Sequence, residues 1–236
     1  MNYNDKVSLE LHEWKRKMAK DPSLVNDLSR KLQIRINKAI PEKVHIAITN
    51  AIKGVMQAVI FGAEFTNPDP LAKATLEERE IRVLERIRFY RNTAAAEGAI
   101  TGAGGILLGL ADFPLWLTLK MKMLFEIAAL YGKNTGNLKE RIYMLYVFQL
   151  TFSSQRQRNH IYAILSDWDH YKLTIPDNIN EFDWRSFQQE YRDYIDIAKL
   201  LQLVPGIGAA VGAVVNHRLT NQLGLTAMNA YRLREL

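Results

Sequence analysis

Apolar residues recur at helical spacing from the start of the chain to Gly62. In the first predicted helix they lie three or four positions apart, with charged residues between them, at Tyr3, Val7, Leu11, Trp14 and Met18. Asp21-Pro22 ends this helix, and the same pattern predicts a second helix over 25–40 and a third from Pro41 to Gly62. Such stripes are typical of core faces in a helical bundle. The alternative is that the basic first helix lies on a membrane surface, with Trp14 near its middle.

A polar segment separates these helices from the rest of the chain. Two prolines within 66–70 predict a loop. Thr75 and Glu78 have the spacing of a capping box, and they predict a charged helix through about Asn92. Ala94 to Glu97 then leads into a glycine-rich stretch, either as a single long helix that is broken at a glycine or as two helices that meet there.

Segment 98–114 is too rich in glycine for an ordinary helix and too apolar for an ordinary loop. Its glycines would share one helix face, which Asp112 continues; they are Gly98, Gly102, Gly105 and Gly109. Asp112-Phe113-Pro114 is a helix-start signal, so we predict a hairpin with a first arm of about ten residues and a second arm from Phe113 to Leu130. Each arm is short for crossing a bilayer core of about 30 Å.

A second apolar segment with a glycine face lies near the end of the chain. Val204-Pro205-Gly206 interrupts a helical pattern, and Gly208 and Gly212 then share a face that continues to Asn216. We therefore predict two helical hairpins with glycine faces. Either they pack on each other in the core, or they insert shallowly into a membrane.

The remaining pattern also favours helices. A helix is predicted from Arg141 to about Phe152, whereas 153–183 has the least regular pattern in the chain. The alternation of apolar and polar residues that is typical of strands is missing. We predict an all-α fold in which a single domain over 1–236 combines basic amphipathic helices in 1–65 with a core over 75–236.

Composition limits the chemistry and the compartment. The 236 residues include no cysteine, which excludes disulfides, thiolate metal sites and cysteine nucleophiles. The net charge of +6 favours anionic partners. The polar start predicts no secretory signal peptide, so we expect a cytoplasmic protein that could lie peripherally on the inner face of the cell membrane.

Motifs for nucleotides, metals and nucleophilic serines are missing or stand in the wrong context. Leu107 occupies the place of the third glycine of a dinucleotide loop, and no strand precedes the segment. The histidines lack the spacing of helical zinc sites, and Asp167, Asp169 and His170 are more typical of a capped turn than of a metal site. Gly-x-Ser-x-Gly does not occur. We expect no cofactor and no metal.

Three acids lie within or beside the apolar segments. Glu97, Asp112 and Glu126 would be costly there without partners, which makes them a candidate polar site where the two glycine faces meet. The alternative is structural. Asp112 would then cap the helix that begins at Phe113, and the two glutamates would pair with basic residues, namely Arg88, Arg91 or Lys122.

The two glycine motifs, in this order, resemble those of the EcsC family. The similar segments are Ala94-Ala95-Ala96-Glu97-Gly98, 102–105, 110–114, Phe125-Glu126-Ile127 with Tyr131-Gly132, and 204–213 with Asn216. The resemblance implies a bacterial protein that gene neighbourhood links to an ATP-binding cassette exporter, and a soluble or peripheral chain with hydrophobic segments. It implies no catalytic residues, because the biochemical role of the family is not established.

Two functions follow as hypotheses. The first is a non-enzymatic peripheral membrane or transporter-accessory protein, whose partner is an anionic membrane surface or the subunits of a membrane transporter. The second is a hydrolase-like enzyme with an acidic site between helices. The chain is basic but has no recognised nucleic-acid-binding motif, so no nucleic-acid partner is expected. The sequence does not determine the oligomeric state.

Overall fold

Eight α-helices form most of the part of the chain that the structure describes. The structure is a computed structural model, and it describes residues 2–20, 42–61, 68–103, 113–153, 155–183, 185, 187 and 209–236. The helices are α1 (Tyr3–Ala19), α2 (Glu42–Phe61), α3 (Leu76–Ala103), α4 (Phe113–Leu130), α5 (Leu138–Phe152), α6 (Gln155–Ser166), α7 (Trp168–Tyr171) and α8 (Ala209–Arg232). Two 3-10 helices, Lys172–Thr174 and Ile179–Glu181, follow α7. No strand occurs in these ranges, so the all-α prediction is confirmed.

Side-chain caps fix the starts of several helices. Asn2 and Asp5 form a capping box at α1, and the Asn137 side chain accepts a hydrogen bond from the Lys139 N–H at the start of α5. The predicted box before α3 is present, because Thr75 N–H donates to Glu78 Oε2 at 2.8 Å and Glu78 N–H donates to Thr75 Oγ1 at 3.3 Å. The sequence therefore determines these boundaries locally.

Helix α3 runs beyond its predicted end near Asn92 and continues through Gly98 to Ala103. Tyr90, Ala94 and Gly98 lie four residues apart and are all buried, so the packed face of the helix continues into the glycine stretch. Tertiary packing offsets the low helix propensity of glycine there. Of the two alternatives, one long helix is the one observed up to Ala103.

The expectation that 153–183 is irregular is wrong for its first part, which forms α6 and α7. Ile161 and Leu165 on α6 lie four residues apart and are buried, and Trp168 at the start of α7 is buried as well. Tyr162 meets Trp14 of α1 edge-on, with ring centroids 5.6 Å apart. The aromatic character of this region therefore serves helix packing.

The apolar face of α1 packs on the bundle. Val7 and Leu11 are buried, and Trp14 contacts the bundle through Tyr162. This confirms the interpretation of the first stripe as a core face. The second predicted helix, over 25–40, lies outside the described residues.

Helix α5 lies at the centre of the bundle, and every residue from Ile142 to Phe152 is buried. Around it, α3 runs antiparallel to α8, since Glu80 meets Arg232 and Ile87 meets Gly224. Helix α4 runs parallel to α8, because their C-terminal ends meet where Tyr131 stacks on Tyr231 with centroids 5.2 Å apart, and their N-terminal ends meet through Trp116 and Asn216.

A buried ion pair between Glu80 and Arg232 connects α3 and α8 with α1 and the end of α4. The Glu80 carboxylate is fully buried and accepts two hydrogen bonds from Arg232, at 2.7 Å and 2.6 Å. It also accepts hydrogen bonds from the hydroxyls of Tyr3 at 2.6 Å and Tyr131 at 2.9 Å. A bidentate pair whose remaining lone pairs are satisfied can be buried at little net cost. The network fixes the positions of α1, α3, α8 and the end of α4 relative to one another.

None of the described helices combines the length and the apolar character that crossing a membrane requires. In α4, the most apolar of the described helices, the apolar sequence is interrupted by Lys120, Lys122 and Glu126.

Candidate ligand groove and buried lysine

Helices α3 and α4, with the loop before α3, enclose a groove of about 640 Å³. Its apolar lining includes Phe125, Ala129 and Leu130 of α4, and its polar wall consists of Arg86, Tyr90 and Glu126. Asp69 and Lys122 are exposed residues that line its rim. Helical periodicity explains the arrangement, because Arg86 and Tyr90, like Lys122 and Glu126, are four residues apart and share a face.

The polar wall is held by Glu126. Its Oε2 accepts a hydrogen bond from Arg86 Nε, and its Oε1 accepts one from the Tyr90 hydroxyl at 2.7 Å. The hydrogen bond from Arg86 to Glu126 raises the pKa of the guanidinium, and burial together with Glu126 raises the pKa of Tyr90. The Arg86 guanidinium also lies 4.9 Å from the centroid of the Phe89 ring. Arg86 is therefore fixed and fully charged.

The structural alternative for Glu126 holds, but with other partners than those predicted. The sequence suggested Arg88, Arg91 or Lys122, whereas Arg86 and Tyr90 fill this role. Arg91 lies on the side of α3 that faces α8 and donates to Asn221 at 2.9 Å. Sequence separation alone does not show which face of α3 meets α4, and this explains the error.

A second polar feature of α4 is Lys120, whose side chain is fully buried. Within the described part of the chain, no group accepts a hydrogen bond from its Nζ, which lies 4.0 Å from the centroid of the Trp116 ring. The indole N–H of Trp116 donates in turn to Asn216 of α8. Burial lowers the pKa of Lys120 well below its usual value, and the charge of Glu97 opposes this shift only in part.

Two of the three predicted acids, Glu97 and Glu126, are described, and they interact with different residues. The charge of Glu97 acts on Lys120, whereas Glu126 pairs with Arg86. Glu97 and Arg86 both lie on α3, and at 1.5 Å per residue they are separated by about 16 Å along the helix axis. Asp112 lies outside the described residues. The described part of the chain thus places Glu97 and Glu126 in two separate surroundings.

The glycine faces are described only in part. Gly98 is buried on α3, and Gly102 and Gly212 belong to α3 and α8, whereas Gly105, Gly109 and Gly208 lie outside the described residues. Sequence reasoning missed Gly224 of α8. A Cβ at this position would lie 2.5 Å from Ile87 Cγ1, so α3 and α8 approach closely there.

No group of three or more potential metal ligands occurs among the described residues. His170 Nδ1 lies 2.6 Å from Asp167 Oδ1, and Lys172 Nζ lies 2.5 Å from Asp169 Oδ1. Asp167 is the N-cap residue of α7, but its side chain makes no capping hydrogen bond, so these contacts are local side-chain pairs rather than a side-chain cap.

Sequence reasoning also missed Lys120, Arg86 and Tyr90. The spacing of Trp116 and Lys120, four residues apart in an apolar helix, was the available signal for a buried amine. The sequence indicated the groove less clearly, because its polar wall combines residues of two helices. Arg86 and Glu126, which pair there, are 40 positions apart in the sequence.

Comparison with known proteins identifies the family to which this chain belongs. The family model described as "EcsC protein family" matches residues 5–236. "Protein EcsC" of Bacillus subtilis (strain 168) is 41% identical over 237 residues, covering 100% of this chain and 98% of that protein. "Uncharacterized protein YdbA" of the same organism is 33% identical over 146 residues, covering 61% of this chain and 53% of that protein. No solved structure matches the chain significantly. With a match along nearly its whole length, the chain belongs to the EcsC protein family.

Proposed function

We propose that this protein is a non-enzymatic peripheral protein of an anionic membrane surface, at the inner face of the cell membrane, and an accessory of an ATP-binding cassette transporter system. The family resemblance supports the link to the transporter. The observation that carries the membrane part is a pair of exposed apolar side chains at one end of the bundle.

These side chains are Leu115 of α4 and Val214 of α8, which are 59% and 67% exposed. The parallel helices α4 and α8 begin at the same end, because the neighbouring residues Trp116 and Asn216 are hydrogen-bonded. Both glycine-rich segments of the sequence connect to helices at this end, since α3 finishes there and α4 and α8 start there. Apolar side chains at such an end can enter the interface between headgroups and acyl chains.

Exposed cations follow both apolar side chains. Arg218 lies one turn after Val214, and Lys122 lies two turns after Leu115, so each pair shares a helix face. At 1.5 Å per residue, the cations lie about 6 Å and about 10 Å behind the apolar side chains. This spacing suits insertion of the apolar residue with the cation at the level of anionic headgroups.

Flotation with vesicles tests the proposal. We expect the wild-type protein to float with phosphatidylglycerol vesicles at low salt, and to float less at high salt or with phosphatidylcholine alone, because salt screens the cations. Val214→Glu should lower the floating fraction. Leu173→Glu, a matched change at a 72% exposed leucine in the 3-10 helix after α7, should leave it unchanged. A wild-type protein that stays at the bottom of the gradient at low salt contradicts the proposal.

A further inference from the structure

We propose that the groove between α3 and α4 binds an organic oxyanion, meaning a phosphate or carboxylate group carried on an apolar body. The site places hydrogen-bond donors of Arg86 and Lys122 beside an apolar lining that includes Phe125, Ala129 and Leu130. Its volume of about 640 Å³ suits a small ligand, and apolar pockets with a few oriented polar groups are typical of such sites. The family assigns no ligand to this groove, and Lys122 is the residue that it shares with the proposed membrane contact.

Arg86 is positioned to receive an anion. Glu126 accepts a hydrogen bond from the Nε–H of Arg86, and the Nη1 and Nη2 atoms of the guanidinium take no part in that contact. Both oxygens of Glu126 are engaged, one by Arg86 and one by the Tyr90 hydroxyl, so the carboxylate holds the arginine in place. A fixed planar guanidinium binds phosphate or carboxylate with two parallel hydrogen bonds.

Lys122 supplies the second cation. Its side chain is exposed at the rim of the groove, and no described residue accepts a hydrogen bond from its Nζ. Asp69 is the acidic residue at the same rim. If the ligand is an anion, Asp69 opposes binding and Lys122 favours it, so the two residues predict effects of opposite sign.

The apolar lining selects for the body of the ligand. Phe125 and Ala129 are buried neighbours on one face of α4, and Leu130 continues the lining. Leu130 and Pro68 are half-buried, so an inorganic anion would leave their apolar surface in contact with water, whereas a short alkyl or aromatic body would cover it. The ligand class is therefore amphiphilic as well as anionic.

Isothermal titration with octyl phosphate tests the site on the full chain, without vesicles. We expect octyl phosphate to bind at least about tenfold more tightly than inorganic phosphate, which lacks the apolar body, or octanol, which lacks the charge. Lys122→Gln should weaken binding of octyl phosphate by about tenfold, and Asp69→Asn should strengthen it by about twofold. Arg88→Gln, at an exposed arginine of α3 outside the groove, should leave the affinity unchanged.

Three results would overturn the inference. The first is an octyl phosphate affinity no better than that of octanol, and the second is an equal loss in Arg88→Gln and Lys122→Gln. The third is weaker binding of octyl phosphate by Asp69→Asn, because removal of a negative charge at the rim should favour an anion. Circular dichroism of each variant confirms folding, and because no bilayer is present, failure here is distinguishable from failure of the membrane proposal.

Discussion

At the residue scale, Lys120 and Lys122 show that the residue type alone does not determine whether a side chain is buried. Both are lysines of α4, two positions apart in an apolar sequence, yet Lys120 is fully buried and Lys122 is exposed. The predicted helix Phe113–Leu130 has the observed bounds, but its periodicity does not show which residues α5 and α8 cover. The burial of Lys120 therefore follows from packing between distant segments.

Replacing Lys120 should stabilise the fold. Its buried amine lacks a hydrogen-bond acceptor among the described residues, so Lys120→Met, of similar length and without the polar group, should raise the free energy of unfolding by about 1 to 4 kcal/mol. Lys122→Met is the matched control on the same helix, and it should change that free energy by no more than about 0.5 kcal/mol. Urea denaturation of the three proteins measures both, and a Lys120→Met variant less stable than wild type would show that the amine has a stabilising partner.

The same residue predicts a pH dependence. Burial lowers the pKa of Lys120 in the folded state, whereas the unfolded chain keeps a value near 10.5. At pH values between these two pKa values, the unfolded state binds more protons at Lys120 than the folded state does. The contribution of Lys120 to the free energy of unfolding therefore rises with pH up to about 10.5, and it falls as the pH is lowered toward the folded pKa. The difference in melting temperature between Lys120→Met and wild type should therefore shrink from pH 7 to pH 10. A difference that does not depend on pH would contradict a lowered pKa.

At the element scale, local signals predicted helix starts well and the extent of helices less well. The capping box of Thr75 and Glu78 and the apolar stripe of α1 act within one helix, so the sequence determines them. Helix α3 continues to Ala103 because packing of Ala94 and Gly98 outweighs glycine's low propensity, and α6 forms because Ile161 and Leu165 are buried. These outcomes depend on neighbours that the sequence does not reveal.

The crossing of α3 and α8 gives a prediction about two glycines. Gly224→Ala should lower the free energy of unfolding by about 1 to 3 kcal/mol, because the new Cβ would lie 2.5 Å from Ile87 Cγ1. Gly54→Ala is the matched control in the interior of α2, where no atom lies within 4 Å of an added Cβ, and it should stabilise the protein by about 0.5 to 1 kcal/mol. Ile87→Ala costs stability by itself, but in that background Gly224→Ala should cause a smaller further loss than in the wild type. Equal effects of the two glycine substitutions would exclude a close crossing.

At the scale of the whole molecule, the all-α fold follows from the helical periodicity of the sequence, and the arrangement of the helices does not. The predicted glycine faces led to a candidate site of Glu97, Asp112 and Glu126. Among the described residues, the charge of Glu97 acts on Lys120, whereas Glu126 lines the groove. The groove requires that α3 and α4 pack antiparallel in one register. That register depends on contacts such as the one between Arg86 and Glu126.

The two proposed sites lie in different regions along the length of the bundle. The end where α4 and α8 begin carries the exposed Leu115 and Val214, whereas the groove lies further along α4, at Lys122 to Leu130. At the opposite end, Glu80 and Arg232 fasten α3 to α8. Val214 and Asp69 each belong to one proposed site and can be altered separately, whereas Lys122 belongs to both.

The most direct test of the central claim is to measure which end of the bundle enters a bilayer. Because the chain has no cysteine, Val214→Cys and Leu173→Cys each provide one labelling position for an environment-sensitive fluorophore. With phosphatidylglycerol vesicles at low salt, a blue shift and greater intensity are expected for the label at position 214, and no change for the label at position 173. Equal spectra with and without vesicles at position 214, or a shift only at position 173, would contradict the account.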